Sequence, residues 1–248
     1  MITDDEVIDL FKEAMQELSK HRGKNLPFVN QFFRGVKPHM KNQHPGGCAR
    51  HMVVFEKHKI IPEICFGCYK VFIEPKTVVE LLKLMILFEK LDMPSNNRRK
   101  CSVEGRSDVG GAYKGYVFCD GLEDARRVLN IVSESVSNEI SDAIDVKLKH
   151  GCSEFTIVYP EFAAIEGENV MRYKPEWGDI EHTADEEIGG FNKHSMISES
   201  NATDYSIYDY LAMNIWLRYA ATIGDQSYLS ITGSPVQPIP GLQRPGNF

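Results

Sequence analysis

The chain has 248 residues, of which 42% are hydrophobic and 25% charged, and its formal net charge is −7. A chain of this length buries a core without disulfide or metal staples, and the balance is that of an ordinary globular protein. A net acidic surface repels phosphate, which argues against non-specific nucleic-acid binding but leaves room for a local basic patch.

The N-terminal run MITDDEVIDLFKEAMQ lacks the basic start and apolar core of a signal peptide. It predicts a helix capped by Thr3, with Glu6 completing a capping box and Val7, Leu10, Phe11, Met15 and Leu18 on one face. From His21 to Cys68 the pattern is irregular, with one short strand expected near Met52–Phe55. Tyr69–Glu74 alternates as a strand and Pro75 ends it. Thr77 and Glu80 then cap a helix over Val78–Leu91 that is apolar nearly all round, hence buried. Glu80 and Lys83 interrupt it, and it is too short to span a bilayer.

Lys100–Arg106 and Tyr113–Cys119 read as a hairpin turned at Gly110-Gly111. Asp120 and Glu123 are expected to cap a helix with Leu122, Ala125, Leu129, Val132, Val136 and Ile140 on its apolar face. A closing strand is expected at Cys152–Tyr159. The segment after Tyr159 is acidic and loop-like to about Asn201. A hydrophobic helix follows over Tyr205–Ile223, stopped by Gly224, and a proline-rich tail ends the chain.

The order β-α-β-β-α-β predicts an α+β fold with a ferredoxin-like split sheet and helical and irregular extensions on both sides. The organisation expected is residues 1–68 as helix and Cys/His-rich segment, 69–160 as the sheet unit, and 161–248 packing on the same core. The expected setting is cytoplasmic, without membrane partners. A homo-oligomer contact through the 205–223 helix or the proline-rich tail is one reading, and closing the core of its own chain is the favoured one for that helix.

The densest chemistry precedes the sheet. His39, His44, Cys48, His51, His58, Cys65 and Cys68 are half of the chain's six cysteines and eight histidines. In a reducing compartment such cysteines are free thiols, metal ligands or nucleophiles rather than a disulfide framework. Cys48-Ala-Arg-His51 and Cys65-Phe-Gly-Cys68 each bring two donors to one turn, and zinc takes four such donors in a tetrahedron. The expected zinc ligands are therefore Cys48, His51, Cys65 and Cys68. A rival set is Cys65, Cys68, Cys101 and Cys119, an iron–sulfur or all-thiolate site if the four converge at one sheet edge. Against both stands plain core packing, which suits Cys101 and Cys119.

The sheet offers a second candidate. Lys114-Gly-Tyr-Val-Phe118, followed by Asp124-Ala-Arg-Arg127, resembles the second signature of RNA-recognition motifs. That resemblance implies that Phe72, Tyr116 and Phe118 stack on bases, with Lys114, Lys70 and Arg106 adding charge. The first strand departs from the family's pattern at Glu74 and Pro75. Packing of the same rings beneath the chain's own extensions is the alternative, and binding of a peptide strand another. The carboxylates of 161–187, crowded around His182, or a reactive cysteine, are the candidates for an enzymatic reading.

Overall fold

A computed structural model describes residues 1–23, 39–41, 48–105, 109–187 and 205–242, and of 39–41 and Ala49 the backbone. Helix α1 (Asp4–Lys20) starts as its sequence demands. Thr3 Oγ1 accepts from the Glu6 amide at 3.2 Å, and Glu6 accepts from the Thr3 amide at 2.9 Å. Strand β1 (His39–Lys41) is followed by α2 (Cys48–His58), then a 3₁₀ turn (Glu63–Gly67), β2 (Cys68–Glu74) and α3 (Val78–Lys90). Next come β3 (Arg99–Val103), β4 (Tyr113–Asp120), α4 (Leu122–Glu139) and β5 (Asp145–His150). The chain goes on through α5 (Ser153–Val158), a 3₁₀ turn (Pro160–Ala163), α6 (Trp177–Glu187), α7 (Ile207–Ile223) and α8 (Tyr228–Thr232).

The fold is α+β around one antiparallel sheet of order β1-β3-β4-β2-β5. One sheet face, carrying Tyr69, Val71, Ile73, Cys101, Val103, Tyr113, Val117 and Cys119, packs into the main apolar core with α3 and α4. Helix α3 seats closely because β4 has Gly115 beneath it. A Cβ there would fall 2.4 Å from Leu84 Cδ2 and 3.3 Å from Ile73 Cβ. Helices α1, α7 and α8 close the outer side of α3.

Helix α7 buries Tyr210, Ala212, Met213, Trp216, Leu217, Tyr219 and Ala220 and stops at Gly224, whose φ is +87°. This helix thus closes its own core. The tail does likewise: Val236, Ile239 and Leu242 pack on that core, and the Ile239 amide donates to Thr222 Oγ1 at 2.8 Å. No helix among the described residues is long and apolar enough to cross a membrane.

Three expectations are corrected. The strand expected near Met52–Phe55 is part of α2. Met-Val-Val-Phe has strand composition, but Val54 and Phe55 are buried, His51 and His58 half-buried and Val53 exposed, which follows the helical period. The closing strand is not Cys152–Tyr159 but Asp145–His150, paired with β2 from Tyr69↔His150 to Glu74↔Asp145. Gly151 then turns the chain off the sheet at φ +56°, where a Cβ would meet the Phe162 ring at 2.2 Å. The apolar residues that follow coil into α5 instead. Finally, α4 is not capped by Asp120 and Glu123. Gly121 holds the cap position at φ +86°, and Asp124 accepts from Ser95, Asn97 and the Asp120 amide at 2.9, 2.8 and 3.3 Å.

A second, smaller core lies beyond the β2 and β5 ends. Val54, Phe55, Ile60, Ile61, Cys65, Phe155, Phe162, Trp177 and Ala184 form it, so α2, α5 and α6 make a lobe of their own. Arg50 ties α2 to α6. Its Nε and Nη2 donate to the two carboxylate oxygens of Asp185 at 2.6 and 2.7 Å, and Nη2 also reaches Glu181 at 3.1 Å.

Candidate functional site

The sheet face turned away from α3 and α4 carries a mixed pattern of rings and cations, and the register explains it. Phe72 on β2 lies opposite Tyr116 on β4 and Lys147 on β5, while Lys70 lies opposite Phe118 and Lys149. Lys100 on β3 lies opposite Tyr116. The alternation that buries Val71, Ile73, Val117 and Cys119 on one side leaves these residues together on the other.

The three rings form a diagonal. Phe72 and Tyr116 have centres 5.2 Å apart, and Tyr116 and Phe118 6.3 Å. Phe72 is buried, at 3% exposed, and Tyr116 and Phe118 are half-buried, although none of the three joins either apolar cluster. Their neighbours are cations instead. Lys149 Nζ lies 3.7 Å from the Phe72 centre, with Lys147 Nζ at 5.6 Å. The Arg98 guanidinium lies 4.0 Å from the Phe118 centre, Lys70 approaches both Phe118 and Tyr116, and Lys100 reaches Tyr116 at 5.9 Å. Such cation–π contacts stabilise each pair modestly.

The cations themselves repel. Burial lowers the pKa of Lys100, with Lys70 and Arg98 adding to the effect. Burial followed by Lys147 and Lys114 does the same for Lys149. Like charges directly opposite in a ladder are destabilising, and Lys70 with Lys149 is such a pair. Lys147 differs, being paired with Asp145 at 2.7 Å and with Glu74 at 3.7 Å.

Lys114 lies on this face by the alternation of β4, opposite Ser102. It is buried in an ion pair with Glu104 at 2.7 Å, both side chains 9% exposed, and its charge is spent inside the protein. Arg106 lies outside the described residues. Arg98, Lys100, Lys147 and Lys149 were not singled out from sequence. The alternation in Asp-Val-Lys-Leu-Lys-His (145–150) was the signal for the last two.

At one end of this face the two lobes meet in a corner of thiols. The Cys68 amide donates to the Cys65 carbonyl, closing the C-x2-C turn. The Gly151 amide donates to the Cys68 carbonyl at 2.8 Å, which brings Cys152 beside Cys68. Lys70 Nζ sits 3.6 Å from Cys152 Sγ. Cys48, in the first turn of α2, hydrogen-bonds His51 and Arg98, and these lower its pKa to about 7 against the effect of burial. Burial, then the other thiols, pushes Cys65 far up. Burial raises Cys68 to about 11 and raises Cys152 as well.

The expected zinc set is not assembled. Cys48, Cys65, Cys68 and Cys152 lie near enough to affect one another's ionisation, and His51 lowers the pKa of Cys48. The rival set does not converge. Cys101 is fully buried in the main core opposite Gly115, and Cys119 lies four residues further along β4 opposite Tyr69, about 13 Å away at strand rise. Among the described residues no group of three or more His, Cys, Asp or Glu stands at metal-holding spacing with the side chains as placed. The side chain of His39 and the whole of His44 lie outside the described residues.

The acidic segment resolves into ion pairs. Asp185 and Glu181 hold Arg50, Glu166 pairs with Arg126, Glu187 with Lys57, and His182 lies 3.4 Å from Glu186. Glu181 also accepts from the Glu63 amide and the Tyr173 hydroxyl. These contacts fasten the small lobe and leave no carboxylate pair poised for acid–base work among them.

Compared with models of protein families, with curated proteins and with solved structures, the chain gives no match, and the resemblance at 114–127 extends to no family model.

Proposed function

We propose that the chain binds single-stranded RNA on the sheet face turned away from α3 and α4, through its half-buried rings Tyr116 and Phe118. The observation that carries the reading is the diagonal Phe72–Tyr116–Phe118 set among Lys70, Arg98, Lys100, Lys147 and Lys149. Rings offer π-faces to unstacked bases while the cations track the phosphates, a combination that is tolerant of sequence. The net charge of −7 is a property of the whole chain, and this face carries a local cluster of cations.

This reading takes the sheet as a ferredoxin-like split β-α-β-β-α-β unit. The order β3-β4-β2-β5, with α3 joining β2 to β3 and α4 joining β4 to β5, supports it. Both helices then lie on one face and leave the two central strands, β4 and β2, presenting rings on the other.

Fluorescence anisotropy with a labelled single-stranded RNA tests the reading. Phe118→Ala and Tyr116→Ala should each weaken binding by roughly 5- to 150-fold, the equivalent of one lost stacking contact. Binding unchanged in both variants would remove the stacking argument. Strengthened binding on deletion of 188–204 would instead mark the face as one that this segment of the chain covers.

A further inference from the structure

Strand β5 stands at one edge of the sheet, with six residues against three in β1 at the other edge. The Gly151 amide donates to the Cys68 carbonyl at 2.8 Å. These two are therefore a hydrogen-bonded pair, and bonded and non-bonded pairs alternate from there along an antiparallel ladder. Lys149, Lys147 and Asp145 turn their main-chain groups inward, to Lys70, Phe72 and Glu74, while Val146 and Leu148 turn theirs outward. Among the described residues nothing bonds those outward groups. The side chains alternate too. Val146 and Leu148 are half-buried at the rim of the main core, and Asp145, Lys147 and Lys149 are exposed. Such an unpaired row is a template for a further strand.

We infer that β5 is a docking edge for an extended protein segment that alternates acidic and apolar residues and joins the sheet as an added strand. Main-chain bonds to Val146 and Leu148 hold the segment, and its side chains select it. Residues opposite Val146 and Leu148 lie on the core side and extend the apolar rim. Residues opposite Lys147 and Lys149 lie on the other side, beside cations. Opposite charges at directly paired positions stabilise a ladder. Lys149 carries most of that selection. Lys70 lies across from it, its Nζ rests 3.7 Å from the Phe72 ring centre, and no carboxylate pairs with it among the described residues. Lys147 is already engaged with Asp145 and Glu74.

The same lysines disfavour a second copy of the chain as the occupant. An antiparallel pairing of two β5 strands that keeps Val146 and Leu148 both bonded within the six residues sets Lys147 opposite Lys147 or Lys149 of the other copy, and like charges so placed are destabilising. Lysines on an exposed edge are a common barrier to self-pairing. They leave the edge open to a strand of opposite charge.

Hydrogen exchange on the full chain tests this with two synthetic peptides, one alternating Glu and Val, the other Lys and Val. Excess Glu-Val peptide should slow exchange at the Val146 and Leu148 amides by about tenfold or more. The Lys147 and Lys149 amides, already bonded to β2, should change little. The Lys-Val peptide should leave all of these amides unchanged. In fluorescence anisotropy, Lys149→Glu should weaken binding of the Glu-Val peptide by roughly 2- to 30-fold, as an opposite-charge pair becomes a like-charge one. Val146→Pro removes an amide that bonds nothing within the described chain, at a place where an edge strand admits proline, and should abolish binding. No slowing at Val146 and Leu148, or equal slowing by both peptides, would overturn the proposal. So would slowing that rises with protein concentration in the absence of peptide, which would give the edge to a second copy of the chain.

Discussion

The guanidinium of Arg98 lies 4.0 Å above the centre of the Phe118 ring. After His51, the same side chain lowers the pKa of the Cys48 thiol, and its main-chain carbonyl accepts from the Phe118 amide at 2.9 Å. One residue therefore belongs to both the ring-and-cation face and the thiol corner. Removing its charge should weaken RNA binding and raise the Cys48 pKa together. Arg98→Met, which retains the stem, is expected to show both effects in anisotropy and thiol-labelling measurements. A change in one without the other would separate the two sites.

Cations of the face should each contribute to the salt dependence of RNA binding. Replacing Lys149 by Met should reduce the slope of log affinity against log salt by about 0.7, the value for one lost phosphate contact on a single strand. The same substitution at Lys114 should leave the slope unchanged, since that charge is paired with Glu104 inside the protein. Affinities measured across a salt series decide the matter.

Arg50 and Asp185 give the small lobe a pH dependence. The Arg50 hydrogen bond, foremost, holds Asp185 below its ordinary range. A depressed carboxylate pKa contributes stability above the unfolded value, near 4, that is lost as pH falls through the folded value. At pH 7, Arg50→Met should abolish hydrogen-exchange protection in 177–187 while sparing the sheet. Below pH 3 the variant and wild type should converge. A difference that persists unchanged into acid would show that α6 is held by packing alone.

Thiol reactivity should be uneven. Cys48, half-exposed and lowered to about 7 by His51 and Arg98, should alkylate first near neutral pH. Cys101, with no exposed surface and a pKa pushed up by burial, should alkylate last. His51→Ala should slow Cys48. Mass-resolved labelling rates report the order, and equal rates at Cys48 and Cys101 would contradict this account of the corner.

Gly115→Ala should destabilise the fold by about 1–3 kcal/mol, as overpacking does, because the new methyl falls on Leu84 and Ile73. Urea unfolding measures it. A neutral result would mean that α3 shifts freely over β4.

Strict alternation made β2 and β4 legible, and with them the pairing of Tyr116 and Phe118 on one face. Helices α1, α3 and α7 were legible from caps and period. What misled was composition without context. Cys152–Tyr159 is richer in strand-forming residues than Asp145–His150, yet the positive φ of Gly151 and a second apolar core draw it into a helix. Misplacing that strand hid Lys147 and Lys149 on its outer side and put Cys152 within a strand rather than just past the end of one. Met52–Phe55 erred in the same way, since burial on α2 is set by the small lobe rather than by β-branching. Lys114 could not be told from its neighbours, because its partner Glu104 lies across a loop whose path only the fold defines.

Photocrosslinking of a uridine-containing single strand, with the attached peptides mapped by mass spectrometry, tests the central claim most directly. Adducts should concentrate on Tyr116 and Phe118 and fall away at high salt. Adducts confined to other surfaces, with these two rings untouched, would contradict an RNA-binding sheet face.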